Sequence, residues 1–111
     1  MDVTDREIWK GSIDIILLSI IGKGPTYGYE IIQNLRRVSE QAYEMSEGTL
    51  YPALRRLEEK QLLTSSWGDS ETGGRRKYYE ITEEGRHSLA GKLQQWRLVS
   101  RLISISAEGM G

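Results

Sequence analysis

An α+β domain, with three helices, a β-hairpin and one further helix, is what this sequence predicts. Three features carry that reading. Apolar residues recur at helical spacing in three stretches before Gln61, two runs of strand character flank a glycine-rich tip between Leu62 and Thr82, and a last helical stripe runs from Leu89 to Ile105. This order is a helix-turn-helix followed by a two-stranded β wing, with a helix appended at the end.

Each element has its own signal. Thr4-Asp5-Arg6-Glu7 has the spacing of a capping box. Ile8, Trp9, Ile13, Ile16, Leu17, Ile20 and Ile21 then follow at helical intervals until Gly22-Lys23-Gly24-Pro25 stops them, with Gly11 separating a short lead-in from the main helix. Thr26 is placed to cap a second helix, in which Ile31, Ile32, Leu35 and Val38 face inward. Ser46 starts a third, with Leu50, Leu54 and Leu57 at i, i+4 and i+7. The stretches from Leu62 to Trp67 and from Lys77 to Thr82 read as strands, and the residues between, beginning at Gly68 and ending at Gly74, read as the tip. Thr82 caps the last helix, whose first turn carries Glu83 and Glu84, the charge sign that end of a helix prefers. Leu89, Leu93, Trp96, Val99 and Ile103 form its stripe, widened by Leu98, Leu102 and Ile105.

The 111 residues suit one small domain, and 38% hydrophobic residues give a core without surplus, so association with another chain is expected. The absence of cysteine excludes a disulfide framework, thiolate chemistry and any Cys-built zinc site. A formal net charge of -1 predicts no overall attraction to nucleic acid, so any such binding has to come from local clustering. Asp2, Asp5 and Glu7 precede the first apolar run, unlike the basic start of a signal peptide, and the stretch from Ile15 to Ile21 is far too short to span a bilayer. A cytoplasmic protein is expected. His87 is the single histidine and no carboxylates cluster, so there is no nucleophile–base pair and no metal set. Asp69 and Glu71 sit on a hairpin tip, a poor place to fix catalytic geometry. Neither an enzyme nor a cofactor is expected.

The third helix and the hairpin supply the local clustering. On a wheel of about 100° per residue, Leu50, Leu54 and Leu57 fall on one side, Pro52, Arg55, Arg56 and Glu59 on the other, with Thr49 and Tyr51 flanking. A buried leucine seam with donors and flat surfaces opposite is what a groove-reading helix needs. The first turn, Ser46-Glu47-Gly48-Thr49, adds free N–H groups suited to a phosphate. Pro52 cannot donate to the fourth preceding carbonyl, so either the regular helix starts later than Ser46 or its first turn is loosened. On the hairpin, Gly73-Gly74-Arg75-Arg76-Lys77-Tyr78-Tyr79 sets three cations directly after the tip, where they would meet phosphates or a minor groove. Alternation puts Arg76 and Tyr78 on one face and Lys77 and Tyr79 on the other, with one tyrosine packing into the core. Trp67, at the end of its strand, is expected to pack in the core or on the wing.

Three blocks stand in order: Gly24-Pro25-Thr26-Tyr27-Gly28-Tyr29-Glu30-Ile31, Glu47-Gly48-Thr49-Leu50-Tyr51-Pro52-Ala53-Leu54-Arg55-Arg56-Leu57-Glu58, and Gly74-Arg75-Arg76-Lys77-Tyr78-Tyr79 with Thr82 and Gly85. Together they resemble the signature blocks of PadR-type transcriptional regulators, over a span from about Trp9 to Trp96. The resemblance implies a winged-helix repressor that dimerises through its C-terminal helix and binds an inverted-repeat operator in double-stranded DNA. It also implies release by a small molecule, often phenolic or aromatic. Carried over residue by residue, the DNA contacts are Tyr27, Thr49, Tyr51, Pro52, Arg55, Arg75, Arg76 and Lys77, with Arg36 on the second helix added. Glu30 and Glu58 are expected as structural partners. The chain then divides into residues 1–82, the winged-helix DNA-binding domain, and residues 83–111, the C-terminal dimerisation helix and tail. One departure is Gln61, where the family usually has a glycine after the recognition helix, so a left-handed helix stop is less comfortable here.

The short single C-terminal helix resembles the compact subgroup of that family. Some of its members are multidrug sensors that hold flat aromatic compounds in a pore between protomers, between paired tryptophans of the last helix, and Trp96 occupies the matching position. The helix also carries more apolar surface than one small domain covers, so a homodimer is the physical expectation as well. Two readings of Trp96 stand side by side, a packed dimer-core residue or a ring that stacks on a ligand. The candidate ligand-binding and dimer-interface set is Trp9, Ile13, Asp14, Ile16, Leu89, Leu93, Trp96, Val99 and Ile103. Asp14 would pair with a cationic ligand, face solvent or cap a helix. A winged helix used for protein interaction, without sequence-specific DNA binding, is the competing reading.

Overall fold

A computed structural model gives the fold; the structure describes Trp9 and residues 11–109. The capping box from Thr4 to Glu7 and the apolar Ile8 lie outside the described residues. Among the described residues the elements run α1 (Ile13–Ile21), β1 (Thr26–Tyr27), α2 (Gly28–Val38), α3 (Glu47–Glu59), β2 (Leu63–Asp69), β3 (Arg75–Ile81) and α4 (Glu83–Gly109). This is the α+β winged helix-turn-helix with an added helix.

The core forms where each helix turns its apolar stripe inward. Leu17, Leu18 and Ile21 of α1 and Ile31 and Leu35 of α2 meet Leu50, Ala53, Leu54 and Leu57 of α3, and Leu63 and Tyr79 cover them from the sheet. Tyr43 and Met45 close the cluster from the link between α2 and α3. Each fully buried leucine contributes about 2 kcal/mol, so packing stabilises these short helices more than propensity does. Burial raises the pKa of Tyr43, and it raises that of Tyr79, where Glu58 and Tyr51 add to the effect and Arg55 opposes it.

The sheet departs from expectation in two ways. Thr26 and Tyr27 form a third strand, paired with Tyr79 and Tyr78 of β3, so the order is β1-β3-β2 and Thr26 is no helix cap. A two-residue strand is too short to show alternation, which is why the sequence pattern hides it. Tyr27 is then the extended N-cap residue of α2, while the Thr26 hydroxyl donates to Glu30 Oε1 at 2.5 Å. The hairpin is also longer than its sequence pattern suggests. Its register runs from Leu63 opposite Ile81 to Asp69 opposite Arg75, which places Arg75 and Arg76 within β3. The tip shrinks to residues 70–74, where Gly73 takes φ 95° and the Ser70 N–H donates to the Gly74 carbonyl at 2.7 Å.

Ser46 caps α3, its Oγ accepting from the Thr49 N–H at 3.2 Å, and the helix is unbroken across Pro52. A later start, one of the two alternatives for that proline, is therefore not what the chain adopts. The far end of α3 closes as a Schellman motif: the Gln61 N–H donates to Glu58 at 2.9 Å and the Leu62 N–H to Leu57 at 3.0 Å, with Gln61 left-handed at φ 64°. A Cβ opposes that conformation by about 1 kcal/mol or more. Gln61→Gly is therefore expected to stabilise the fold by about 0.5–1 kcal/mol, after allowing for the extra freedom of the unfolded chain. The matching rise in thermal midpoint is about 4 °C, read by circular dichroism at fixed protein concentration.

Thr82 links that end of α3 to α4. Its hydroxyl donates to the Gln61 carbonyl at 2.8 Å and accepts from the Gly85 N–H at 2.9 Å. The 27-residue α4 packs against α1 near its start, where Gly85 is buried and Leu89 reaches the core, and then runs clear of the domain. The molecule is consequently long, 58 × 30 × 20 Å. No helix among the described residues is long and apolar enough to cross a membrane.

Candidate nucleic-acid interface

The exposed face of α3 holds Tyr51, Pro52, Arg55 and Arg56, with Thr49 half-buried beside them. These residues take different roles. Tyr51 lies against the start of α2, so closely that a methyl group on Gly28 would fall 2.3 Å from its hydroxyl oxygen. Glycine at that position admits the ring and so seats α3 on α2. The Thr49 hydroxyl is taken by the Ser46 hydroxyl at 3.1 Å. Arg56 turns away toward α1, where its Nη2 donates to Asp14 Oδ1 at 2.7 Å. Arg55 is thus the cation of α3 without an acid partner among the described residues. Arg36, in the last turn of α2, is ion-paired with Glu44. Both partners are solvent-exposed, so this tether is worth at most about 1 kcal/mol.

The wing divides its three cations between its two faces and sets each above an aromatic ring. On one face the Arg76 guanidinium lies 3.9 Å from the centre of the Tyr27 ring, and Tyr27 meets Tyr78 edge-on at 5.6 Å. On the other, Arg75 lies 5.4 Å from the Trp67 ring and the Lys77 ammonium 5.7 Å from that of Tyr79. Such contacts hold a cation in place without neutralising it. Tyr79 is the tyrosine that enters the core, while Tyr78 stays half-buried.

Between α3 and the wing runs a groove. Tyr51 and Arg55 wall one side, Trp67, Arg75 and Lys77 the other, with Arg76, Tyr27 and Tyr29 also in its lining. Among the described residues none of its four cations has a carboxylate partner. Its one acid, Glu58, accepts from Ser65 Oγ at 2.6 Å, and Glu30 serves Thr26 in the same way. A surface with this much uncompensated positive charge and this many flat rings suits a polyanion. A second hollow, between the end of α3, β2 and the start of α4, has the opposite character, with Glu58, Glu83, Glu84 and His87 in its lining. No group of three or more possible metal ligands occurs among the described residues.

Residues 17–91 match the family model for the transcriptional regulator PadR-like family. The chain belongs to this family. Over 104 residues the PadR-like chain is 36% identical to an uncharacterized protein of Lysinibacillus sphaericus, covering 94% of this chain and 95% of that one. Among solved structures it is similar to a transcriptional regulator from Clostridium thermocellum, with a TM-score of 0.81, 37% identity, and 88% and 95% of the two chains covered. A PadR family transcription regulator from Clostridium difficile gives a TM-score of 0.73 and 39% identity, with 90% and 99% covered. The family and these solved relatives are transcriptional regulators and not enzymes, and so is this chain.

The other candidate set of this PadR-like regulator separates into two groups. Trp9 stacks on Tyr43 with ring centres 4.1 Å apart, and Ile13, Ile16 and Leu89 also pack against the core. Asp14 serves Arg56, so it ties α1 to α3. Leu93 is half-buried on α4, whereas Trp96, Val99 and Ile103 are exposed along its free length, as are Leu98, Leu102 and Ile105. Two residues at the groove escaped sequence reasoning. Tyr29 is 65% exposed there, and its one available signal was its place beside Gly28 on the polar face of α2. Trp67 is 60% exposed and lies beside Arg75, so of its two expected placements it takes the wing and not the core. Alternation puts it on the same sheet face as Leu63, but the hairpin carries it past the point where the core ends.

Proposed function

We propose that this regulator is a homodimeric repressor of an inverted-repeat operator in double-stranded DNA. In this reading α3 enters the major groove and the wing follows the neighbouring backbone or minor groove. The observation that carries it is the convergence of Arg55, Arg75, Arg76 and Lys77 on one groove without acid partners among the described residues. The dimer reading is supported by α4, whose outer length exposes Trp96, Leu98, Val99, Leu102, Ile103 and Ile105 in succession. Exposed apolar surface of that extent suits a second copy of the helix. A flat aromatic effector would bind at this seam, against the 52% exposed Trp96, and change the angle between protomers. The two α3 helices would then no longer match half-sites about 34 Å apart.

The test is quantitative. Sedimentation should give a dimer at micromolar concentration, and a duplex selected from random sequence should bind two protomers. A planar aromatic compound that quenches tryptophan emission should quench less in Trp96→Ala, by about the contribution of one residue in three. The compound should weaken operator binding by the same factor by which the operator weakens compound binding. A monomer, or equal quenching in the two proteins, would remove the seam as a ligand site.

A further inference from the structure

We propose that Trp67 is a further DNA-contacting residue, its indole packing against a deoxyribose of the backbone strand that lies in the groove between α3 and the wing. The inference rests on the DNA reading above and adds an apolar contact to a set otherwise described by charge.

Trp67 lies in β2 opposite Lys77, on the sheet face it shares with Arg75 and Tyr79. That face forms the wing side of the groove, across from Tyr51 and Arg55 of α3. The core does not use the ring, which is 60% exposed, whereas Tyr79 further along the same face is 4% exposed. A tryptophan this open is a costly surface residue unless something covers it in the working state.

The occupant follows from the neighbours. Arg75 stands 5.4 Å from the ring centre and Lys77 is the cross-strand neighbour, its ammonium over Tyr79, so the indole belongs to a face that carries two cations. A DNA strand presents the complementary series, an anionic phosphate, an apolar sugar edge and another phosphate. A protein partner would need carboxylates for both walls of the groove, for Arg55 as well as for Arg75 and Lys77, and an apolar knob for the ring. DNA supplies both chemistries in one strand, and the groove lies where the proposed binding mode already places that strand.

The experiment uses the full chain and the selected operator duplex, with circular dichroism to establish folding. Trp67→Ala should bind about tenfold more weakly while keeping the wild-type salt slope, because a sugar contact releases no counterion. Trp67→Phe should bind within about threefold of wild type, since it keeps a ring. DNA should quench wild-type tryptophan emission, and that quench should be lost in Trp67→Phe. Unchanged affinity in Trp67→Ala, or a quench that persists in Trp67→Phe, overturns the proposal. So does a loss in Trp67→Ala accompanied by a shallower salt slope, for then the ring acts only by holding Arg75. Failure of the DNA reading itself would look different: the wild-type chain would bind no duplex at all.

Discussion

Arg75→Ala combined with Arg76→Ala is expected to weaken operator binding by about a thousandfold at about 0.1 M salt. The figure follows from counting charges. The proposed dimer would lose four cations, and if each neutralises one phosphate the slope of log K against log salt falls by roughly 3.6. The loss should be uniform across DNA sequences, because phosphates carry no sequence information. The single substitutions should differ in kind. Arg75 is exposed and held only loosely by Trp67, so Arg75→Lys keeps much of the affinity. Arg76 is half-buried at 3.9 Å over Tyr27, a stacked site in which lysine does not replace a planar guanidinium. Arg76→Lys should therefore cost nearly as much as Arg76→Ala. Fluorescence anisotropy titrations at several salt concentrations measure all of this. Unaltered affinity and slope in the double variant would remove the wing from the DNA interface and leave protein interaction as the better reading of the groove.

Gly85→Ala is expected to destabilise the fold itself, although it removes no side-chain contact. A Cβ there would fall 2.2 Å from the Leu62 carbonyl oxygen and 2.7 Å from Ile81 Cγ1. The first obstacle is backbone, and it is not free to retreat, because the same carbonyl accepts the Thr82 N–H at 3.0 Å. Alanine favours a helix over glycine by about 1 kcal/mol, but overpacking against a fixed backbone costs about 3 kcal/mol. Even the net loss lowers the thermal midpoint by roughly 8 °C. Gly91→Ala in the same helix is the control, since nothing lies within 4 Å of its Cβ position. It should raise stability slightly. Urea melts of both variants at one protein concentration decide the matter, and a Gly85→Ala protein as stable as wild type would contradict the docking of α4 on Leu62.

Much of this architecture was legible because it depends on short-range chemistry. Ser46 and Thr82 cap their helices as their sequence contexts indicate, and the seam of Leu50, Leu54 and Leu57 is buried as its spacing requires. The groove was legible in part, since its cations announce themselves in the blocks around Arg55 and Arg75. Other features depend on distances that spacing does not encode. Arg55 and Arg56 look equivalent in sequence, yet one has an acid partner on a helix 42 residues away. The strand at Thr26 and Tyr27 exists because β3 has a free edge there, a fact of tertiary arrangement. Alternation likewise assigned faces to Arg76 and Lys77 without showing which rings they would find.

The length of α4 has a mechanical meaning. At 27 residues it extends about 40 Å, and it is rooted in the domain only near Gly85 and Leu89. A rod fixed at one end amplifies rotation. A tilt of about 6° at the root displaces the far tip, about 33 Å away, by roughly 3.4 Å, the rise of one base pair along DNA. The same geometry works in reverse when the far ends are clamped together and the domains are free to swing. In the proposed dimer, a contact that turns α4 by a few degrees would then be enough to shift where each α3 falls on the duplex by one step of its sequence.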